Sequence, residues 1–311
     1  MVSGPLHRNS SMTLNRKLFS ILSFLFFFFI KNLSGQGLFD FDSSRSSVFT
    51  QSVASSIGIA DINGDGINDI AISGYGYYDN QQGLFLNIYS VSPSGEIDTL
   101  QSDVVGDYFA YIPGSHSSRY IGGDGGIDFG DYDRDGKIDI LVHGAEFLFL
   151  TKNLGSSVSL NNYFPSEVIE SLGESSAQWG DVDLDGDLDV FWTGLTNGRA
   201  NITNKLLLNK IDFEGNASWE FDESMVMPDI RNGAVAWSDI DMDGDQDLLT
   251  SGQQITVESG VTKLYLNDPI GRLGEDTSQE LAAMKGTSIC FSDLDNDADP
   301  DLIISGYSPA D

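Results

Sequence analysis

Basic residues are scarce: 16 lysines and arginines stand against 47 aspartates and glutamates, a formal charge of −31. So acidic a chain repels phosphate backbones and anionic headgroups, which argues against nucleic-acid partners and against charge-driven membrane adhesion. Cysteine is almost missing. With Cys290 alone there can be no intrachain disulfide, so stability must come from a large core or from bound metal. Cys290 sits in the apolar run Ile289-Cys290-Phe291 and reads as a buried, inert thiol. Histidine occurs three times, at His7, His116 and His143, in no shared motif; His143 reads as a packing residue in a strand. Long apolar runs are missing too, with one exception. Leu18 to Ile30 is thirteen residues interrupted only by Ser20 and Ser23, whereas a bilayer span needs about 20. Arg8, Arg16, Lys17 and Lys31 flank it, small residues follow at Ser34 and Gly35, and no acid occurs through residue 35. That is the pattern of a signal peptide over 1–35, cleaved near Gly35, which leaves no membrane span in the exported chain. The remainder, 36–311, carries −35, from 12 basic and 47 acidic residues.

The acids that remain are not spread evenly. Five stretches align without a gap, opening at Asp61, Asp131, Asp181, Asp239 and Asp293. Counting each opening aspartate as position 1, the first loop has Asp61, Asn63, Asp65 and Asp69 at positions 1, 3, 5 and 9, around Gly66 at position 6. The second has Asp131, Asp133, Asp135 and Asp139; the third Asp181, Asp183, Asp185 and Asp189; the fourth Asp239, Asp241, Asp243 and Asp247; the fifth Asp293, Asp295, Asp297 and Asp301. A glycine follows thirteen residues after every opening aspartate, at Gly74, Gly144, Gly194, Gly252 and Gly306. Five such registers define an internal repeat.

Successive copies are separated by 70, 50, 58 and 54 residues, which is too long for a short-coil solenoid and suits blades of four short strands. A large apolar residue and a small one precede each loop, as in Phe129-Gly130, Trp179-Gly180 and Trp237-Ser238. Apolar runs of strand length follow: Ile70-Ala-Ile72, Ile140-Leu-Val142, Val190-Phe-Trp192 and Leu302-Ile-Ile304. Further tracts come later in the repeats, among them Lys205-Leu-Leu-Leu-Asn209 and Lys263-Leu-Tyr-Leu-Asn267. Short runs of β-formers bounded by Gly and Asp read as buried strands. The fold class is all-β: a β-propeller of four-stranded blades, with five repeats present and the last cut short before ring closure.

Nineteen of the twenty side chains at positions 1, 3, 5 and 9 are aspartate, a density that repels itself unless a cation sits among them. Glycine at position 6 in four copies permits the sharp turn that wraps positions 1, 3 and 5 about one point. Many hard carboxylate oxygens without Cys or His favour Ca²⁺ over zinc or copper. Aspartate and glycine also favour plain turns, but five copies in one register exceed what turns require. In the fifth loop Ala298 replaces the glycine, and the first loop has Asn63 where the others have aspartate; both changes predict weaker sites.

The D-x-D-x-D-G-x-x-D loop, with its apolar flanks and exit glycine, resembles the FG-GAP/VCBS repeats of integrin-α-like β-propellers, over roughly Gly37 to Asp311. The resemblance implies that the loop joins the first two strands of a blade and holds calcium. It also implies backbone carbonyl ligands at position 7, from Ile67, Lys137, Asp187, Asp245 and Asp299. The function expected is a secreted or cell-surface module for binding and adhesion, without catalysis, whose partner is an unidentified protein or glycan. Two alternatives stand beside it. A carbohydrate-binding lectin would use exposed aromatics such as Tyr75, Tyr77 and Tyr78. A scaffold domain of a polysaccharide-degrading enzyme is the other, and no catalytic residue is legible for it.

Overall fold

The computed structural model describes residues 28–29, 40–41, 52–78, 81–101, 126–144, 147–155, 157–159, 164, 173–196, 201–254 and 259–308. His7, His116 and most of the expected leader lie outside them. Two residues of that leader, β1 (Phe28–Phe29), pair antiparallel with β2 (Asp40–Phe41). Every other described element is also a strand, and no helix occurs among the described residues.

Four sheets of four antiparallel strands follow one another, each ordered as its strands come in the chain. The first is β3 (Ser52–Ala60), β4 (Asp69–Tyr78), β5 (Gln81–Val91) and β6 (Ile97–Gln101). The second is β7 (Gly126–Gly130), β8 (Asp139–Gly144), β9 (Phe147–Asn153) and β10 (Val158–Ser159). The third is β11 (Gly173–Gly180), β12 (Asp189–Thr196), β13 (Asn201–Ile211) and β14 (Ala217–Asp222). The fourth is β15 (Ile230–Ser238), β16 (Asp247–Gln254), β17 (Gly260–Leu266) and β18 (Gly274–Glu275). A two-stranded sheet, β19 (Lys285–Ser292) and β20 (Asp301–Tyr307), comes last. Each Asp loop joins strands one and two of its sheet, and position 9 pairs with the residue before position 1, as in Gly180↔Asp189 and Ser238↔Asp247.

The core lies between successive sheets, not inside one centre. In the four-stranded sheets the second strands are covered on both faces, and alternation sends neighbouring residues to opposite sides. Val190 and Trp192 join the cluster shared with the second sheet, while Phe191 joins the cluster shared with the fourth. Likewise Ile140 packs toward the first sheet and Leu141 toward the third. This two-sided burial is why these strands read as unbroken apolar runs. First strands of successive sheets pack side by side, which explains the large-small pairs before the loops. A Cβ on Gly130 would meet Trp179 Cδ1 at 3.2 Å, and one on Gly180 would meet Trp237 Cε2 at 2.9 Å. The small residue of one repeat makes room for the aromatic of the next.

The exit glycine has an equally local cause. In β11, Glu174 and Ser175 both stand opposite Gly194, since Gly173 pairs with Leu195 and Ser176 with Thr193. Asn232 and Gly233 stand opposite Gly252 in the same way, and residues 286 and 287 opposite Gly306. Each is a β-bulge, two residues against one. A side chain on Gly194 would lie 2.9 Å from Ser175 Cα, and on Gly252 2.9 Å from Arg231 O.

The last sheet corrects one expectation. Cys290 is exposed, because β19 alternates half-buried with exposed residues, β20 beside it buries none, and no further sheet covers that face among the described residues. His143 is buried as expected, with Nδ1 3.3 Å from Ser175 Oγ, and burial drives its imidazole down to about 4.

Candidate metal centre

The loops build one geometry five times. The position 1 carboxylate accepts the amide of position 6: Gly66 and Gly136 N at 2.8 Å, Gly186, Gly244 and Ala298 N at 3.1 Å. Position 5 accepts the amide of position 7, so Asp65, Asp135, Asp185, Asp243 and Asp297 receive Ile67, Lys137, Asp187, Asp245 and Asp299 N at 2.8–3.2 Å. Position 9 accepts the amide of position 2 through Oδ2: Asp69 from Ile62, Asp139 from Tyr132, Asp189 from Val182, Asp247 from Ile240 and Asp301 from Leu294. Positions 4 and 6 are left-handed throughout, from Arg134 at φ 56° to Gly244 at φ 103°.

This wrapping gathers carboxylates. Oxygens of Asp131, Asp133 and Asp139 lie within 4.8 Å of one another, as do those of Asp181, Asp183 and Asp189, of Asp239, Asp241 and Asp247, and of Asp293, Asp295 and Asp297. Asp135, Asp185, Asp243 and Asp301 stay outside these triplets. Asp61, Asp65 and Asp69 form no such group, because Asn63 replaces the carboxylate at position 3; its Nδ2 donates to Asp65 Oδ2 at 3.1 Å. Ile67 and the other position 7 residues are held by their amides, as above. Asp187 and Asp245 add buried carboxylates of their own at that position.

Two further side-chain features shape the loops. Asn153, Asn209 and Asn267 lie within two residues of the ends of the third strands; their amide N–H groups donate to Asp139, Asp189 and Asp247 Oδ1 at 2.7, 2.8 and 2.9 Å. Their side chains reach back to the preceding loop, donating to Ile62, Tyr132 and Val182 O at 2.6, 2.7 and 2.8 Å. The recurring Leu-Asn at 208–209 and 266–267 was the available signal. The second feature is Arg134, which crosses to the third loop, donates to Asp185 O at 2.8 Å and pairs with Asp187 Oδ1 at 2.6 Å.

Electrostatics and satisfaction both fit a hard divalent cation. Asp181, Asp183 and Asp239 each bury an Oδ1 without a hydrogen-bond partner, a state that costs an ionised group of order 1–3 kcal/mol or more unless a cation receives it; Asp133 Oδ1 is unpartnered too, but the Lys152 ammonium bonds the other oxygen of that carboxylate. Burial, reinforced by neighbouring carboxylates, pushes Asp139 and Asp189 up to about 7 and Asp245 to about 6. Burial also raises Asp69, Asp183 and Asp241. Asp135 goes the other way: burial opposes ionisation, but Lys137 and Lys152 hold its carboxyl below the ordinary range. Oxygen donors alone, with no soft ligand in the clusters, suit calcium.

Nothing among family models or curated proteins matches the chain. Among solved structures it is similar to a lectin of Agrocybe aegerita described as specifically recognising non-reducing terminal N-acetylglucosamine. Identity is 15% and the TM-score 0.46, over 80% of this chain and 60% of that one; the chain thus spans about 60% of that protein's length. A likeness at that level carries no argument about function.

Proposed function

We propose that the chain is a calcium-binding β-propeller of the FG-GAP/VCBS type, exported or displayed at the cell surface, where it serves as a rigid module for binding and adhesion. The observation that carries the calcium reading is the set of buried, unpartnered carboxylate oxygens at Asp181, Asp183 and Asp239, in loops built alike. Asp181, Asp183 and Asp189 would hold one ion, and Asp239, Asp241 and Asp247 another. The ion supplies positive charge at the strand-one to strand-two turn; it is structural, and no catalytic residue is assigned. Support for the propeller comes from the successive four-stranded sheets with their first strands side by side. The exported, adhesive role rests on the leader and on the loop resemblance.

Calcium titration of the metal-free protein, by calorimetry and thermal melting, tests this. A site that binds the folded chain alone stabilises it by about 2.7 kcal/mol at a hundredfold excess over Kd. Asp183→Ala and Asp241→Ala should therefore lower the loaded midpoint more than Asn63→Ala. A melting curve indifferent to chelator would remove the structural role.

A further inference from the structure

The second loop differs from its neighbours in carrying its own cations. It gathers Asp131, Asp133 and Asp139 as the third and fourth loops gather theirs. Yet Lys152 Nζ donates to Asp133 Oδ2 and lies 3.6 Å from Asp135 Oδ2, while Lys137 Nζ donates to the same Asp135 oxygen at 2.8 Å. Lys152 directly precedes Asn153, the residue whose amide caps Asp139; the residues standing there in the third and fourth sheets are Leu208 and Leu266. Lys137 occupies position 7, where those loops have Asp187 and Asp245. Four loop carboxylates and two ammonium groups leave the second loop near −2, against −5 for the five aspartates of the fourth. Near the third loop, Arg134 pairs with the position 7 carboxylate of Asp187, and Lys210, 3.6 Å from Glu220, acts on Asp183 through space without an ion pair. Among the described residues, no ion pair reaches a position 1, 3, 5 or 9 carboxylate of the third, fourth or fifth loop.

We infer that the second loop is closed by Lys152 and Lys137 in place of a divalent cation, so that it holds its shape without calcium and binds that ion far more weakly than the third and fourth loops. This rests on the calcium reading of those two loops. A divalent ion entering the second loop must displace an ammonium already hydrogen-bonded to the position 3 carboxylate. Charge-assisted bonds of that kind weaken competing binding by about tenfold or more. Arg134, from the same loop, then grips the carbonyls of Asp185 and Gly186 from a support that does not depend on metal.

The test is calcium titration of the metal-free chain, residues 36–311, by calorimetry, with bound ions counted by equilibrium dialysis. Lys152→Leu, which installs the residue of the neighbouring repeats, should add one tightly bound calcium or tighten the weakest site by about tenfold or more. Asp133→Ala in the Lys152→Leu background should abolish that gain. Lys263→Leu removes the same charge away from the loops and should give no gain. If Lys152→Leu does not fold by circular dichroism, Lys152→Gln serves, with the same expected gain. An unchanged count and unchanged affinities in the Lys152 variants, with Asp183→Ala and Asp241→Ala each still removing an ion, overturn the inference alone. No calcium uptake by the unmutated chain overturns the calcium reading beneath it.

Discussion

Position 4 of the loops carries glycine once, at Gly64, and then arginine, leucine, methionine and asparagine, yet all five adopt positive φ. The side chains share no chemistry, so nothing in the sequence marked this position; the loop closure at positions 1 and 6 imposes it. Position 6 was legible, because glycine recurs there, and so was its exception. Ala298 sits at φ 77°, in a region that costs a non-glycine residue about 1 kcal/mol. Ala298→Gly should raise stability by roughly that amount, read as a shift in denaturant midpoint, and should tighten any metal at the fifth loop. A neutral or lower midpoint would show that the turn bears no strain. Lys152 was illegible for a different reason: strand pairing, not sequence proximity, brings it to Asp133.

At the scale of the element, the recurring glycine after each loop was plain in the sequence while its cause was not. A bulge is a relation between two strands, and a repeat alignment shows only one. Gly194→Ala should cost about 2 kcal/mol, since overpacking typically costs 1–3 and here the new methyl would press on backbone at Ser175 Cα. Denaturation of the variant checks this; a cost below about 0.5 kcal/mol, within the range of neutral surface changes, would mean that the bulge relaxes freely. The asparagine braces were hidden by uneven spacing, fourteen residues past position 9 at Asn153 but twenty at Asn209 and Asn267. Asn267→Ala leaves Val182 O without its donor and should cost about 1–3 kcal/mol, measured the same way. A value near zero would show that water replaces the amide.

For the whole molecule, the apolar runs and Asp registers sufficed for the all-β class and for four strands per repeat, because each repeat specifies its own sheet. Which sheet faces which, and hence the exposure of Cys290, depends on neighbours. Charge acts at this scale as well. With folded values near 7 against an ordinary 3.8, Asp139 and Asp189 keep protons in the metal-free folded state that the unfolded chain gives up. Their contribution is complete below about pH 4 and is lost as pH rises through about 7. The midpoint in chelator should therefore fall from pH 5 to pH 8, and calcium in excess should flatten or reverse that slope. A metal-free midpoint that climbs over the same range would contradict the assignment.

The asparagine braces all point one way. Ile62 O is reached by Asn153, Tyr132 O by Asn209 and Val182 O by Asn267, so each loop is completed by chain that is synthesised later. On a growing polypeptide the first loop waits for residue 153, the second for residue 209 and the third for residue 267. Maturation of the acidic loops thus trails elongation by one sheet, and a chain halted between Asn209 and Asn267 carries two braced loops with a third still open.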